Sequence, residues 1–145
     1  MLKFISNHKL LFIITLIVLI LLSIHIALLI DTNSVLRDVK STYYGEKDAS
    51  EVLGTPLESY YIHNPRYERN IDTVDLKIRR YLVVHNGSEG WILAKIECEA
   101  FDSDGETVYG HETTARWWIE KKEGKWVITK VKDTTIGGRI SSLFE

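Results

Sequence analysis

Trp91–Phe101 reads WILAKIECEAF, and its alternation decides the fold of everything beyond the first thirty residues. Ile92, Ala94, Ile96, Cys98 and Ala100 recur at every second position, with Lys95, Glu97 and Glu99 between them. A period of two places the first set on one face of a strand and the second on the other, so the segment is a half-buried β-strand. Asn86-Gly87-Ser88-Glu89-Gly90 before it and Asp102-Ser103-Asp104-Gly105 after it are turn sequences. Asn and Asp bond their own backbone there, and glycine takes up positive φ. Outward from the first turn, Leu76–His85 (LKIRRYLVVH) has the β-branched and aromatic content of a strand. Outward from the second, Thr107–Lys121 is a long third strand in which Ala115, Trp117 and Ile119 share a face. Lys122-Glu123-Gly124 turns the chain into a fourth strand, Lys125–Lys132, where Trp126 and Ile128 alternate with Val127, Thr129 and Val131. Four consecutive antiparallel strands form a meander that curls and buries one face.

Something must cover that face, and the segment before the strands supplies it. Asp31, Thr32, Asn33 and Ser34 are helix N-cap candidates. Val35, Leu36, Val39 and Tyr43 then form one apolar stripe, with Arg37, Asp38 and Lys40 turned away and Gly45 placed to stop the helix. Asp48 or Ser50 starts a second short turn through Glu51, Val52 and Leu53, which Gly54 and Pro56 end. Residues 57–75, with Tyr60, Tyr61 and Tyr67 among polar residues, read as a loop or irregular strand crossing the domain's face. The predicted class is α+β: one or two helices packed on a curved four-stranded antiparallel sheet.

Leu10–Ile30, LLFIITLIVLILLSIHIALLI, has no formal charge over 21 residues. As a helix it spans about 31 Å, close to the roughly 30 Å hydrocarbon thickness of a bilayer. Thr15 and Ser23 can return hydrogen bonds to the helix backbone, and His25 lies near the outer end, where a neutral imidazole reaches the interface. The run is too long for a cleaved signal peptide and lacks small residues at a cleavage site. No cysteine lies near its end to carry a lipid. Lys3 and Lys9 on the short amino-terminal flank hold that end in the cytoplasm. The expected organisation is a cytoplasmic amino terminus at 1–9, a transmembrane helix at 10–30, an extracytoplasmic α+β domain at 31–133 and a tail at 134–145. The localisation that follows is the cell membrane, single-pass, with the lipid bilayer as one partner of the chain.

The 145 residues hold 18 Lys/Arg against 20 Asp/Glu. Only Lys3 and Lys9 fall before Asp31, so the rest carries 16 cations against 20 anions, a net −4. A mildly acidic domain argues against nucleic-acid binding. One cysteine, Cys98, makes an intramolecular disulfide impossible, and its place on an apolar strand face suits an inert buried thiol.

Sites of chemistry are sparse. Asp102, Asp104 and Glu106 resemble part of a calcium loop but lack the distal bidentate Glu, and a hairpin turn accounts for them. His63, His85 and His111 have no HExxH or HxH spacing and read as surface histidines; His111 and Glu112 point to opposite strand faces. Glu97 and Glu99 face away from the apolar side, so no buried acid is available for general acid–base work. No cofactor is implied and no enzyme constellation is present. Asn86-Gly87-Ser88 matches a glycosylation sequon that the turn already explains. Trp117 and Trp118 are adjacent and must point to opposite faces. One is core. The other, with Trp91 or Tyr109, lines a ligand groove or a protein interface, or packs beneath the helix or the 57–75 segment. Trp91, Tyr109, Trp117 and Trp118 are therefore the candidate interaction residues.

The order helix, Tyr43-Tyr44 before a Gly45-Glu46-Lys47-Asp48 break, then hairpins ending in Trp117-Trp118-Ile119-Glu120-Lys121-Lys122-Glu123-Gly124-Lys125-Trp126-Val127-Ile128, resembles the NTF2-like (cystatin-like) superfamily over about residues 33–133. A clear third helix of that pattern is missing, which argues against a deep conical pocket. The resemblance implies a sheet curled around helices and leaves function open, since the superfamily holds enzymes, ligand binders and assembly subunits. The expected function is a membrane-anchored binding or assembly module with an envelope protein or a second copy as partner. The alternatives are a tethered receptor for a small apolar ligand in an NTF2-like pocket and, less favoured, an enzyme using that pocket.

Overall fold

The computed structural model describes residues 2–62 and 71–134, with side chains from 9 to 61 and from 71 to 133. His63, Tyr67 and the tail after 134 lie outside the described residues. Four helices precede four strands: α1 Leu2–Asp31, α2 Asn33–Tyr43, α3 Ala49–Val52, α4 Glu58–Ile62, β1 Thr73–His85, β2 Glu89–Phe101, β3 Thr107–Lys122 and β4 Lys125–Thr134. The strands form one antiparallel sheet in the order β1-β2-β3-β4, an α+β arrangement.

α1 is one continuous helix, and its stretch Lys9–Asp31 is long and apolar enough to cross a membrane. Thr15 Oγ1 and Ser23 Oγ donate to the carbonyls of Leu11 and Leu19, which satisfies both hydroxyls without water. Only Thr32 separates α1 from α2. Thr32 stands at the N-cap of α2 but makes no side-chain cap bond; its hydroxyl instead donates to the Leu28 carbonyl of α1 at 2.8 Å. The buried side of α2 is Val35, Val39, Thr42 and Tyr43, and Gly45 at φ 67° ends the helix. Residues 58–62 depart from the loop expected there. They form α4, whose Tyr60 is buried against the core. A five-residue helix is too short to show a 3.6-residue period, so one buried tyrosine fixes it instead.

The inner face of the sheet is the core. Trp117, Trp126, Ile92, Ile96 and Ile119 are fully buried, with Val35 and Val39 of α2 set against them. Removing each such side chain from water contributes about 1.5–3 kcal/mol. Among the described residues three register shifts interrupt the ladders, at Tyr81 on β1, Val108 on β3 and Thr129 on β4. On β1 the pairing skips Tyr81, so Leu76 faces inward before it and Val83 after it, and Tyr81, Leu82 and Val84 are left exposed. On β4 the pairing skips Thr129, so Val131 joins the core face rather than following Val127 outward. A bulge inserts one residue and flips the parity of all that follow.

Turn chemistry matches the sequence. Asn86 Oδ1 accepts from the backbone N–H groups of Ser88 and Glu89, and Asp102 Oδ1 from those of Asp104 and Glu106. Glu123 and Gly124 both take positive φ, the requirement of a two-residue type I′ hairpin. Gly90 is constrained differently: a methyl group there would overlap the Val84 carbonyl oxygen and the His85 backbone. By contrast, a methyl at Gly110 meets nothing within 4 Å. Gly90→Ala is expected to cost about 1–3 kcal/mol, since the obstacle is backbone, and Gly110→Ala less than about 0.5 kcal/mol. Urea denaturation of the detergent-solubilised full-length chain distinguishes them, and equal costs would contradict the close β1–β2 approach.

Burial pushes the Cys98 thiol up to about 11, with Asp75 and Glu99 adding to the effect. A raised folded-state value stabilises the protonated form. That stability is complete below the ordinary value of 9.0 and is lost as pH rises from 9 toward 11. Cys98 should resist a thiol-reactive maleimide at pH 8 until the domain is unfolded; rapid labelling of the native protein would show the thiol is accessible.

Candidate functional site

Inner and outer faces divide the candidate aromatic residues between them. Trp117 points inward, where its Nε1 donates to the Tyr60 hydroxyl at 2.8 Å, and Tyr60 stacks on Tyr43 with ring centroids 5.3 Å apart. Burial holds both tyrosine hydroxyls well above their ordinary range and therefore protonated. Tyr109 pairs with Ala100 and packs against this same inner core. It is not beside Trp91 and Trp118: of the alternatives Trp91 and Tyr109, Trp91 is the one that shares a face with Trp118. Their number parity carries this separation: Tyr109 is an even number of residues from Trp117, so an unbroken strand puts both on one face.

Trp91 and Trp118 pair directly across β2 and β3 on the outer face, both half-buried. Val84 of β1 and Lys130 of β4 extend their row. The next row toward the far end is Leu82, Leu93, Arg116 and Lys132. Arg116 is 4% exposed, and its guanidinium lies 4.7 Å from the Trp91 ring centre and 5.5 Å from that of Trp118. The Lys130 ammonium sits 4.7 Å over the Trp118 ring. Cations over aromatic faces are attracted by the ring quadrupole, more so when desolvated. A cleft of about 660 Å³ lies beside these rings, lined by Val84, Glu89, Trp91, Trp118, Glu120 and Thr129.

Further along the same face the surface is ionic. Lys95 bridges Glu97 and Glu112, Arg79 lies 3.9 Å from Glu97, and Lys77 pairs with Asp75 at 2.8 Å. Lys95 holds the Glu97 carboxyl below the usual range. These groups surround a shallow cleft of about 430 Å³.

A third cluster joins α1 to the sheet. Asp31 Oδ2 accepts from Trp126 Nε1 at 2.8 Å, with His85 Nε2 at 3.5 Å and Lys121 Nζ 3.6 Å from Oδ1. Arg80 Nη1 donates to the Leu29 carbonyl at 2.9 Å and to Thr32 Oγ1 at 3.2 Å, which satisfies a carbonyl that the end of α1 leaves open. Burial lowers the Arg80 value. His85 is thus no surface histidine: its side chain is 9% exposed and its ring lies 4.6 Å from that of Trp126. Sequence spacing missed this cluster because Asp31 is 54 residues from His85. His111 is exposed, and among the described residues no group of three His, Cys, Asp or Glu is placed to hold a metal ion.

No family model matches the sequence, and no curated protein or solved structure matches it either.

The Asp31 cluster carries a test of its own. Asp31→Ala leaves the buried Trp126 Nε1 without an acceptor and should lower stability by about 1–2 kcal/mol, whereas Asp31→Asn, which keeps an oxygen for that bond, should lose less. Thermal unfolding of the full-length protein reads both; identical losses would mean the carboxylate oxygen is not what holds Trp126.

Proposed function

We propose that the protein is a single-pass, membrane-anchored extracytoplasmic module that acts by binding a protein partner through the outer face of its sheet. α1 is the anchor, with Lys3 and Lys9 on the cytoplasmic side and the α+β domain beyond Asp31 outside the cell membrane. The domain is read as NTF2-like, a class in which assembly subunits recur. The observation that carries the proposal is the Trp91–Arg116–Trp118 stack, with Lys130 over Trp118 and the exposed Leu82 and Val84 beside it. Trp and Arg are the side chains most enriched at the energetic centres of interfaces. The inner face favours this reading over a receptor for a small apolar ligand. Trp117, Tyr60, Tyr43 and Ile96 occupy the space that such a ligand would need.

In-situ crosslinking and affinity purification of the full-length protein from its own membranes tests the proposal. Trp118→Ala should reduce the recovered complex by about 30-fold, equivalent to about 2 kcal/mol, while shifting Tm by no more than about 5 °C. Trp117→Ala should instead unfold the domain, at a cost of about 3–5 kcal/mol. Full recovery of the complex from a folded Trp118→Ala variant would reject the outer face as the interface.

A further inference from the structure

Charge on the outer face is distributed in a way that specifies the partner. Far from α1, among the described residues, Lys95 has Glu97 and Glu112, Arg79 has Glu97, and Lys77 has Asp75. Arg116 has no carboxylate among the described residues. It is 4% exposed, its Nε is enclosed without a hydrogen-bond partner, its guanidinium lies against the two indole rings, and Leu93 and Lys132 flank it across the neighbouring strands. Desolvating a guanidinium without an anion is costly, and ring stacking recovers only part of that cost. Lys130, exposed beside it over Trp118, also has no carboxylate among the described residues. An anion set at Arg116, with the Trp91–Trp118 row between it and Glu89 and Glu120, would meet two cations beside two indole rings, where attraction is stronger than in open water.

Resting on the outer-face reading above, we propose that the Trp91–Trp118 patch receives an acidic segment of an extracytoplasmic protein, with a carboxylate set against Arg116 and Lys130. A second copy fits poorly. Two copies anchored in one bilayer are related by an axis along its normal, so facing sheets would bring Arg116 against Arg116. Anionic lipid headgroups fit poorly as well. Asp31 marks the α1 end of the sheet through His85 and Trp126, and Glu89 and Glu120 stand between that end and the tryptophans. Headgroups approaching from the bilayer therefore meet carboxylates first, and the cations of the adjoining β3–β4 turn are partly engaged, Lys121 with Asp31 and Lys122 with Glu120.

Zero-length carbodiimide coupling in the protein's own membranes, followed by mass spectrometry of the joined peptides, tests this directly. The expected product is an amide bond between Lys130 Nζ and an Asp or Glu of a different polypeptide. Complex recovery should fall at least about tenfold in Lys130→Glu and stay within about twofold in Lys130→Arg. It should also fall as NaCl rises from about 50 to about 500 mM, and Glu112→Lys in the distal zone should leave it unchanged. Loss of the complex in Trp118→Ala, with indifference to Lys130→Glu and to salt, would overturn the acidic partner while leaving the proposed interface standing. Indifference to all of these variants would overturn both. Coupling of Lys130 to a second copy of this chain, or no coupling there at all, overturns the inference. So does Lys130-dependent binding to phosphatidylglycerol vesicles in place of a protein product.

Discussion

Two tryptophans stand side by side on β3, and a strand delivers neighbouring side chains to opposite faces. Burying Trp117, with its Nε1 satisfied by the Tyr60 hydroxyl, commits the inner face to packing and sends Trp118 outward. The short helix α4 is held by this same bond, since it is Tyr60 that reaches Trp117. Register does the remainder: with Trp118 outward, Trp91 is opposite it, and Arg116, two residues earlier on β3, lies against both rings. The composition of the outer patch is therefore a consequence of how the core is filled.

The patch also has a fixed place relative to the apolar helix α1. Arg80 reaches the carbonyl of Leu29 and the hydroxyl of Thr32, while Asp31 collects Trp126, His85 and Lys121. These contacts tie the last turn of α1 to β1, β3 and β4, leaving one residue between the apolar helix and α2. A domain joined to α1 this way holds the Trp91–Trp118 face in a set orientation relative to that helix.

Much of this was legible in the sequence because strand parity is a strong signal. Ile92 through Ala100 are buried on alternate positions, and Ala115, Trp117 and Ile119 share the inner face as their spacing requires. The hairpin turns declared themselves through Asn, Asp and Gly, and the apolar run at 10–30 through its length. Illegible features have specific causes. The bulges at Tyr81 and Thr129 reverse parity without a local residue that marks them, so alternation alone sets Val131 with Val127, whereas it lies on the core face. α4 is too short for a helical period. The pairings Asp31–His85, Asp31–Trp126 and Arg80–Leu29 span 51 to 95 residues of sequence. Tyr109 is a different case. Its parity with Trp117 puts it on the inner face, which leaves Trp91 as the neighbour of Trp118.

The central claim is that the Trp91–Trp118 face is covered in the protein's working state. Hydroxyl-radical footprinting of the full-length chain in its own membranes, compared with the same chain purified in detergent, measures that cover residue by residue. The account predicts that Trp91 and Trp118 are oxidised in the purified protein and protected in the membrane, while the exposed Val108 at the far end of the sheet reacts equally in both. Equal oxidation of Trp91 and Trp118 in the two settings would contradict it.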